Sequence, residues 1–299
     1  MRVAVLTGGP SSEREMSFGT GHEVAWAMDQ LGYEYVTIDI AEQFHGELLD
    51  FAPDVAFMAL LGGTGENGAI QGMMEVMRIP YTHSGVAASA AAMNKEMSKA
   101  VFRDAGLPVP KGGLFHRDAI QNSHVMDVPY IVKPNDDGSS LGGLFLIDDL
   151  GKAPPDLSGT DREIFLVEEF IPGRELTTSV LGDKALASTQ FDIDGLYDYE
   201  QKYENLDHNH LLPAPVPPEI DARMFELAEA AHKVLGCRGL TRTDFRWDES
   251  RGLDGVFILE LNTLPGLRRN SNSGEHAAYK GISFPELCDW LIQDASLDR

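Results

Sequence analysis

Cysteine is scarce. Two residues, Cys237 and Cys288, in a chain of 299 cannot build a disulfide framework, and their wide separation is no metal-ligand spacing. Both fall in helical patterns and read as core. Positive charge is scarce too: 24 Lys and Arg stand against 47 Asp and Glu, a net charge of −23. That balance excludes nucleic acid and anionic membranes as partners, because both need a basic surface. It also means that any lysine or arginine serving a phosphate must be placed locally. No apolar run approaches the roughly 20 residues that cross a bilayer. Internal repeats and low-complexity segments are missing. The start, MRVAVLTGGPSSER, has one Arg and a short apolar run into Gly-Gly. It is expected to be a first strand rather than a signal peptide, and the expected compartment is the cytosol.

What is present is an ordinary globular balance, 43% hydrophobic and 24% charged, with length for two or three compact domains. RVAVLTGG, YVTIDI and DVAFMALL read as buried strands, with a helix from residue 16 to about 31 carrying Val24, Met28 and Leu31 on one stripe. GAIQGMMEVMRI sets Ile70, Met73, Met74 and Met77 at helical spacing, a core stripe rather than a cofactor box. Strands alternating with helices predict a parallel sheet with ligand loops at its carboxyl ends. VAASAAAMNKEMSKAVFRDAG then reads as one long helix stopping at Gly106. A run of strands with tight turns follows (PYIVKPN, GGLFLID, IFLVEEF, ELTTSVLG, KALASTQFDI), suggesting an antiparallel α+β section. The chain continues with an amphipathic helix over PPEIDARMFELAEAAHKVLG, the strands GLTRTDFRW and GVFILELN, and a closing helix in SFPELCDWLIQDA.

The chemistry concentrates at strand ends. In FILELNTLPG, Glu260 and Asn262 lie two apart and so share a strand face, just before a breaking Pro265-Gly266 pair. A polar pair at a fraying strand end is ordinarily just solvated. In TRTDFRWD, however, Arg242 and Asp244 also share a face, and only DESRGLDG joins the two strands, so a hairpin sets Asp244 beside Glu260 and Asn262. Mg²⁺ takes oxygen ligands and only one or two protein carboxylates, leaving room for water and phosphate. Asp244, Glu260 and Asn262 therefore form a candidate two-Mg²⁺ cluster (Mn²⁺ would also suit it), with Arg242 as a cation for a transferring phosphoryl group.

KPNDDGSSLGG ends a strand at Lys133 and offers Gly138, Ser139 and Ser140 as a phosphate-wrapping loop. A plain hairpin is the competing reading. Lys95 would ordinarily be a solvated helix lysine. In VEEFIPGRELT, Glu168, Glu169 and Glu175 mark either an exposed hairpin or an edge that holds adenine and ribose. YDYEQKY clusters Tyr197, Tyr199, Lys202 and Tyr203 in an aperiodic stretch. Such a segment suits a cover that shuts water out, and residues 194 to 212 are expected to be mobile without ligands and ordered with them. GGTGENG contains a GxGxxG-like string but opens no dinucleotide-binding unit, which sets NAD aside.

GGPSSERE, GENGAIQG, IPYTHSG, MNKEMSK, KPNDDGSSLGG, VEEFIPGRELT, YDYEQKY, RTDFRW, LELNTLPG and GISFPEL occur in this order from end to end. Together they closely resemble the D-alanine–D-alanine ligases, bacterial cell-wall enzymes of the ATP-grasp superfamily. The resemblance implies a three-domain α/β and α+β ATP-grasp fold: an N-terminal parallel α/β domain over 1–84, a central subdomain with the phosphate loop over 85–173, and a C-terminal subdomain with metal site and lid over 174–299. It implies ATP, D-amino acids as substrates, two Mg²⁺ per site, a homodimer and a role in peptidoglycan synthesis, cell-wall biogenesis and cell shape.

Carried over by position, Lys95 and Lys133 contact phosphates, and Glu168, Glu169, Ile171 and Glu175 hold adenine and ribose. Asp244, Glu260 and Asn262 ligate metal, while Glu13 receives the ammonium of the first amino acid. Lys202 and Arg242 stabilise the phosphoryl intermediate. Ser139 and Tyr203 join Glu13 in closing the lid, Tyr197 lies at the substrate, and Gly266 and Ser271 receive the second carboxylate. Departures from the family cluster on the amino-acid side: Leu61 stands where His is usual, Asn67 and Asn94 replace Asp, Leu267-Arg268 replaces Met-Thr, and Asn272 takes an apolar position. A paralogue with another acceptor (D-serine, D-lactate or an antibiotic precursor) is the alternative. A nucleotide-binding regulator without catalysis is a third reading, and the retained metal triad speaks against it.

Overall fold

The structure, a computed structural model, describes residues 1–41, 43–136, 143–151, 154–191 and 210–297. Gly138, Ser139, Ser140, Tyr197, Lys202 and Tyr203 lie outside the described residues, as does nearly all of the expected cover over 194 to 212.

The first sheet is parallel, with β1 (Arg2–Thr7) between β2 (Glu34–Asp39) and β3 (Val55–Met58). Both faces are covered, which is why its strands read as continuous apolar runs. On one side Val3, Val5 and Phe57 meet Val24, Ala27 and Met28 of α1 (Arg14–Leu31). On the other, Ala4, Leu6 and Met58 meet Leu48 of α2 (His45–Phe51) and Ile70 and Met74 of α3 (Ala69–Met77). The Met-rich stripe is thus core, as its spacing predicts.

The Ala-rich stretch is not one helix. It breaks at Asn94, whose extended backbone (φ −90°, ψ 101°) separates α4 (Val86–Met93) from α5 (Lys95–Asp104). The Asn94 side chain accepts a hydrogen bond from the Met97 amide and so caps α5. Uninterrupted helix formers hid a boundary that the cap imposes.

The second sheet, ordered β4-β7-β5-β6, contains β4 (Gly112–His116), β5 (Tyr130–Pro134), β6 (Phe145–Ile147) and β7 (Ile164–Glu169). Tyr130, Val132, Phe165 and Val167 pack with Ile120 of α6 (Arg117–Asn122), so the opposite face carries Ile131, Lys133, Leu166 and Glu168. The third sheet is also antiparallel: β8 (Arg174–Leu181), β9 (Lys184–Phe191), β10 (His210–Leu211), β11 (Leu240–Trp247) and β12 (Val256–Asn262) lie in the order β10-β9-β8-β11-β12. Leu176, Val180, Phe245, Trp247 and Ile258 bury against Ile220, Met224, Leu227 and Ala231 of α7 (Pro218–Val234). Its other face carries Glu175, Arg242, Asp244 and Arg246.

Two helices close the chain, α8 (Asn272–Tyr279) and α9 (Phe284–Asp294). α9 packs back on the first sheet's core through Leu287, Cys288, Leu291 and Ile292, so the chain's two ends share one hydrophobic cluster. Cys288 is buried there as expected. Cys237 is buried as well but sits past the end of α7 rather than in a helix. No described helix is long and apolar enough to cross a membrane.

Candidate active site

The hairpin of β11 and β12 pairs Asp244 with Glu260 and Arg242 with Asn262. Simple alternation does not give this arrangement, because along β12 it would put Ile258 and Glu260 on one face. A register shift between Asp244 and Phe245 pairs Phe245 with Ile258 and leaves Leu259 as the extra residue. This β-bulge turns Ile258 into the core while Glu260 and Asn262 face the cleft. Arg242 grips Asp244 with two hydrogen bonds of 2.9 Å each, Nε to Oδ1 and Nη2 to Oδ2. The Thr177 hydroxyl donates to Asp244 Oδ1 at 2.6 Å, and the Asn262 amide donates to Oδ2 at 3.3 Å.

Across the cleft stands α5. Its first residue, Lys95, reaches Glu260 Oε2 with Nζ at 3.4 Å. The Lys95 amide donates to the carbonyl of Asn135, and the Glu96 amide to the Asn135 side chain, both at 2.9 Å. The residue just past β5 therefore fixes the start of α5. One turn further, Lys99 (1% exposed) pairs with Glu168 (2% exposed), and Lys133 Nζ takes the other Glu168 oxygen at 2.5 Å. Burial pushes the Lys99 ammonium down to about 8 against the pull of Glu168. Burial also lowers Lys133, but Glu168, Glu260 and Glu175 outweigh it and hold that lysine above its ordinary value. Burial opposes ionisation of Glu168, yet the two lysines hold its carboxyl below the usual range. Two ammoniums on one carboxylate leave the cluster net positive, in a protein that is acidic elsewhere.

Lys99 was not singled out from the sequence, although its spacing of four from Lys95 on a helix puts the two on one face. Glu175 sits on the third sheet, where Arg246 Nη1 donates to it at 3.2 Å. Glu169 accepts the Lys111 amide at 3.0 Å, and Ile171 is buried in the turn that follows.

The side of the cleft expected to take the amino acids is built from loops. Glu13, 5% exposed, precedes α1. Its Oε2 lies 2.5 Å from where a Cβ on Gly62 would stand, and Gly62 has φ +71°, so no side chain fits at that position. Ser11 ties the two segments together, donating to the Leu61 carbonyl at 2.6 Å. Leu61 itself faces the C-terminal loop, with Cδ2 3.8 Å from the place of a Gly266 Cβ. Glu66 is a further acid that sequence reasoning passed over. Loss of water around its carboxyl and the charges of Glu13 and Glu260 push it up to about 8, against the Gly62 amide and Arg242. It lines a cavity with Met93, Lys95, Glu260 and Asn262. Ser271 caps α8 by accepting from Gly274 at 3.3 Å while donating to the Arg268 carbonyl at 2.8 Å. On the buried face of α8, His276 bridges Ser179 and Thr189 at 2.9 and 2.8 Å, and burial lowers its imidazole to about 3, so it stays neutral.

Among the described residues no three His, Cys, Asp or Glu gather as a metal cluster. The set here is two carboxylates and an amide, oxygen donors of the number Mg²⁺ takes from protein, with Asp244 and Glu260 directly opposite in register. The donor set fits that ion.

Two antiparallel sheets meeting over lysines and a carboxylate–amide hairpin, beside a parallel α/β unit, make the ATP-grasp architecture. A family profile described as D-ala D-ala ligase C-terminus matches residues 101–293. The D-alanine–D-alanine ligases of Ruegeria sp. (strain TM1040) and Ruegeria pomeroyi are 49% and 50% identical over 298 residues, covering 100% of this chain and 97% of each relative. Two crystal structures of the ligase from Bacillus anthracis superpose with TM-scores of 0.79, for a complex with ATP, and 0.81. They are 26% and 29% identical, with 98% of this chain and 97% of theirs covered. The chain belongs to the D-alanine–D-alanine ligase family.

Proposed function

We propose that this chain is an ATP-dependent ligase that joins two D-alanines into D-alanyl-D-alanine with release of ADP and phosphate. The observation that carries the reading is the Lys95–Glu260 contact of 3.4 Å. It brings the lysine-bearing helix and the carboxylate hairpin to one point, where a γ-phosphoryl group and a substrate carboxylate can meet.

A carboxylate does not acylate an amine until its oxygen is phosphorylated. In the first step a carboxylate oxygen of D-alanine forms a P–O bond to the γ-phosphorus, and ADP leaves with the electrons of the broken bond. In the second step the free amine of the next D-alanine attacks the acyl carbon, the C–O bond to phosphate breaks, and the amine loses its proton. Asp244, Glu260 and Asn262 would hold Mg²⁺, which supplies charge neutralisation and alignment for the transfer. Lys95 and Lys133 bind phosphate oxygens, with Lys99 and Glu168 bracing Lys133. Arg242 sits where charge develops on the acyl oxygen; loss of such a donor typically lowers the rate by about 10²–10³. Glu13 receives the first ammonium, and the Gly266 and Ser271 loop the second carboxylate. Glu168, Glu169, Ile171 and Glu175 are assigned to adenine and ribose, and the assignments to Ser139, Tyr197, Lys202 and Tyr203 rest on the resemblance. Peptidoglycan precursor synthesis, a cytoplasmic location and a homodimer belong to the same reading.

Asn272 favours a second reading, an acceptor more polar than D-alanine. Its Oδ1 is shut off from solvent and has no hydrogen-bond partner among the described residues. ADP release with ATP, Mg²⁺ and a panel of D-alanine, L-alanine, D-serine and D-lactate tests both. We expect D-alanine to drive release and L-alanine to fail. Release that is indifferent to the amino acid would overturn the ligase reading.

A further inference from the structure

The loop after β12 carries two arginines, Arg268 and Arg269, where the family resemblance leads one to expect Met-Thr at Leu267-Arg268. Neither points toward the cleft cluster. Arg268 Nη2 crosses to α1 and donates to the Met16 carbonyl at 3.0 Å, with the Met16 thioether at 3.8 Å. The guanidinium lies on the helix at Gly19: a Cβ there would stand 2.0, 2.4 and 2.9 Å from Nη2, Cζ and Nε. Only glycine leaves that berth open. The backbone of Arg268 is engaged at the same time, since its amide donates to Ser271 Oγ at 3.1 Å and its carbonyl accepts from the same hydroxyl at 2.8 Å. Arg269 adds an outer contact, with two hydrogen bonds to Glu23 at 2.6 and 3.0 Å and its guanidinium 4.5 Å from the Trp26 ring centre. That pair is exposed and contributes little by itself.

α1 begins immediately after Glu13. One side chain thus links the helix that presents Glu13 to the loop that presents Gly266 and Ser271. We propose that Arg268, seated on Gly19, is a positioning residue for the second D-alanine: it fixes the acceptor loop against α1 and so sets the distance between the two amino-acid pockets. The inference rests on the ligase reading above. Releasing the loop blurs the acceptor geometry and leaves the nucleotide cluster, carried on other elements, in place. A loop that holds the binding-competent position only part of the time lowers the apparent acceptor affinity by that fraction and leaves the rate of the bound complex unchanged.

Two substitutions test it. Arg268→Ala removes the guanidinium. Gly19→Ala keeps the arginine and every acceptor-loop residue but fills the berth, and within a helix it favours folding. Donor and acceptor KM and kcat are read from ADP release over a wide range of D-alanine, with thermal melts alongside. The expected result is an acceptor KM raised roughly tenfold in both variants, donor KM and kcat within about twofold, and no further rise in the double variant. Gly19→Ala should show this without a fall in Tm. An unchanged acceptor KM in Gly19→Ala overturns the proposal, as do losses in donor KM, acceptor KM and kcat together. So do effects that multiply in the double variant. If Arg268→Ala does not fold, Gly19→Ala alone decides. Failure of the wild type to release ADP with D-alanine would instead sink the ligase reading.

Discussion

The two halves of the cleft are made differently. The half assigned to the nucleotide is held by register: Asp244 opposite Glu260, Arg242 opposite Asn262, and Lys133 and Glu168 on adjacent strands. The half assigned to the amino acids is held by loops pinned across the molecule, with Ser11 on the Leu61 carbonyl, Glu13 against Gly62, and Arg268 on α1. Backbone pairing fixes the first half to within a hydrogen bond, so its side chains have little freedom to vary. The second half depends on a few tertiary contacts, and Leu61, Arg268 and Asn272, three residues that differ from what the resemblance implies, lie there, while a fourth, Asn94, caps α5 on the other side. On the proposed ligase reading, the chemistry would belong to the strands and substrate choice to the loops.

The comparison breaks most visibly if the strand residues prove dispensable. Glu260→Gln keeps size and hairpin pairing but removes a carboxylate from the metal set. Turnover should fall at least about 10³-fold, some 4 kcal/mol of barrier, with the melting temperature nearly unchanged. Activity within tenfold of wild type would end the two-metal assignment.

Next in size is Glu168→Gln, which leaves Lys99 and Lys133 buried without a counterion. Breaking a buried pair on one side typically costs about 3–5 kcal/mol, so chemical denaturation should show a loss of that order. The pH dependence has a definite sign. The folded carboxyl of Glu168 titrates below its ordinary value, so its stabilisation is complete above the unfolded pKa and fades as pH falls through the folded one. Wild type should lose stability below about pH 4 more steeply than Glu168→Gln. Lys99 acts in the opposite range: its folded pKa of about 8 is below the unfolded value. The unfolded chain then binds more protons, and stability rises with pH from about 8 toward 10. Lys99→Met should flatten that rise.

How much of this was legible follows the same division. The hairpin that pairs Asp244 with Glu260 was legible because alternation and a short connection are local signals, although the bulge at Leu259 that aims Glu260 was not. Lys99 could have been found from its spacing to Lys95. The break at Asn94 was masked by helix formers on both sides, and β4, α2 and α6 are too short or too exposed to leave a periodic trace. α8 went unseen because SNSGEHAAYK buries Ser273 and His276 in a polar network rather than an apolar stripe. The arginine seat on Gly19 is marked by a bond between Arg268 and Met16, 252 residues apart; no local pattern announces it.

The smallest expected effect lies in the loops. Asn272→Leu should shift the ratio of D-alanine to D-serine incorporation toward D-alanine by about tenfold, within the roughly 1–3 kcal/mol that one pocket group decides, while kcat with D-alanine holds. Competition assays that find wild type and variant equally strict for D-alanine would remove Asn272 from the acceptor pocket.

The central claim, that the strand-borne cluster phosphorylates a D-amino-acid carboxylate, is read most directly by trapping. Wild type with ATP, Mg²⁺, D-alanine and hydroxylamine should yield D-alanyl hydroxamate together with an amount of ADP that matches hydroxamate plus dipeptide. ADP appearing without either product would contradict the account.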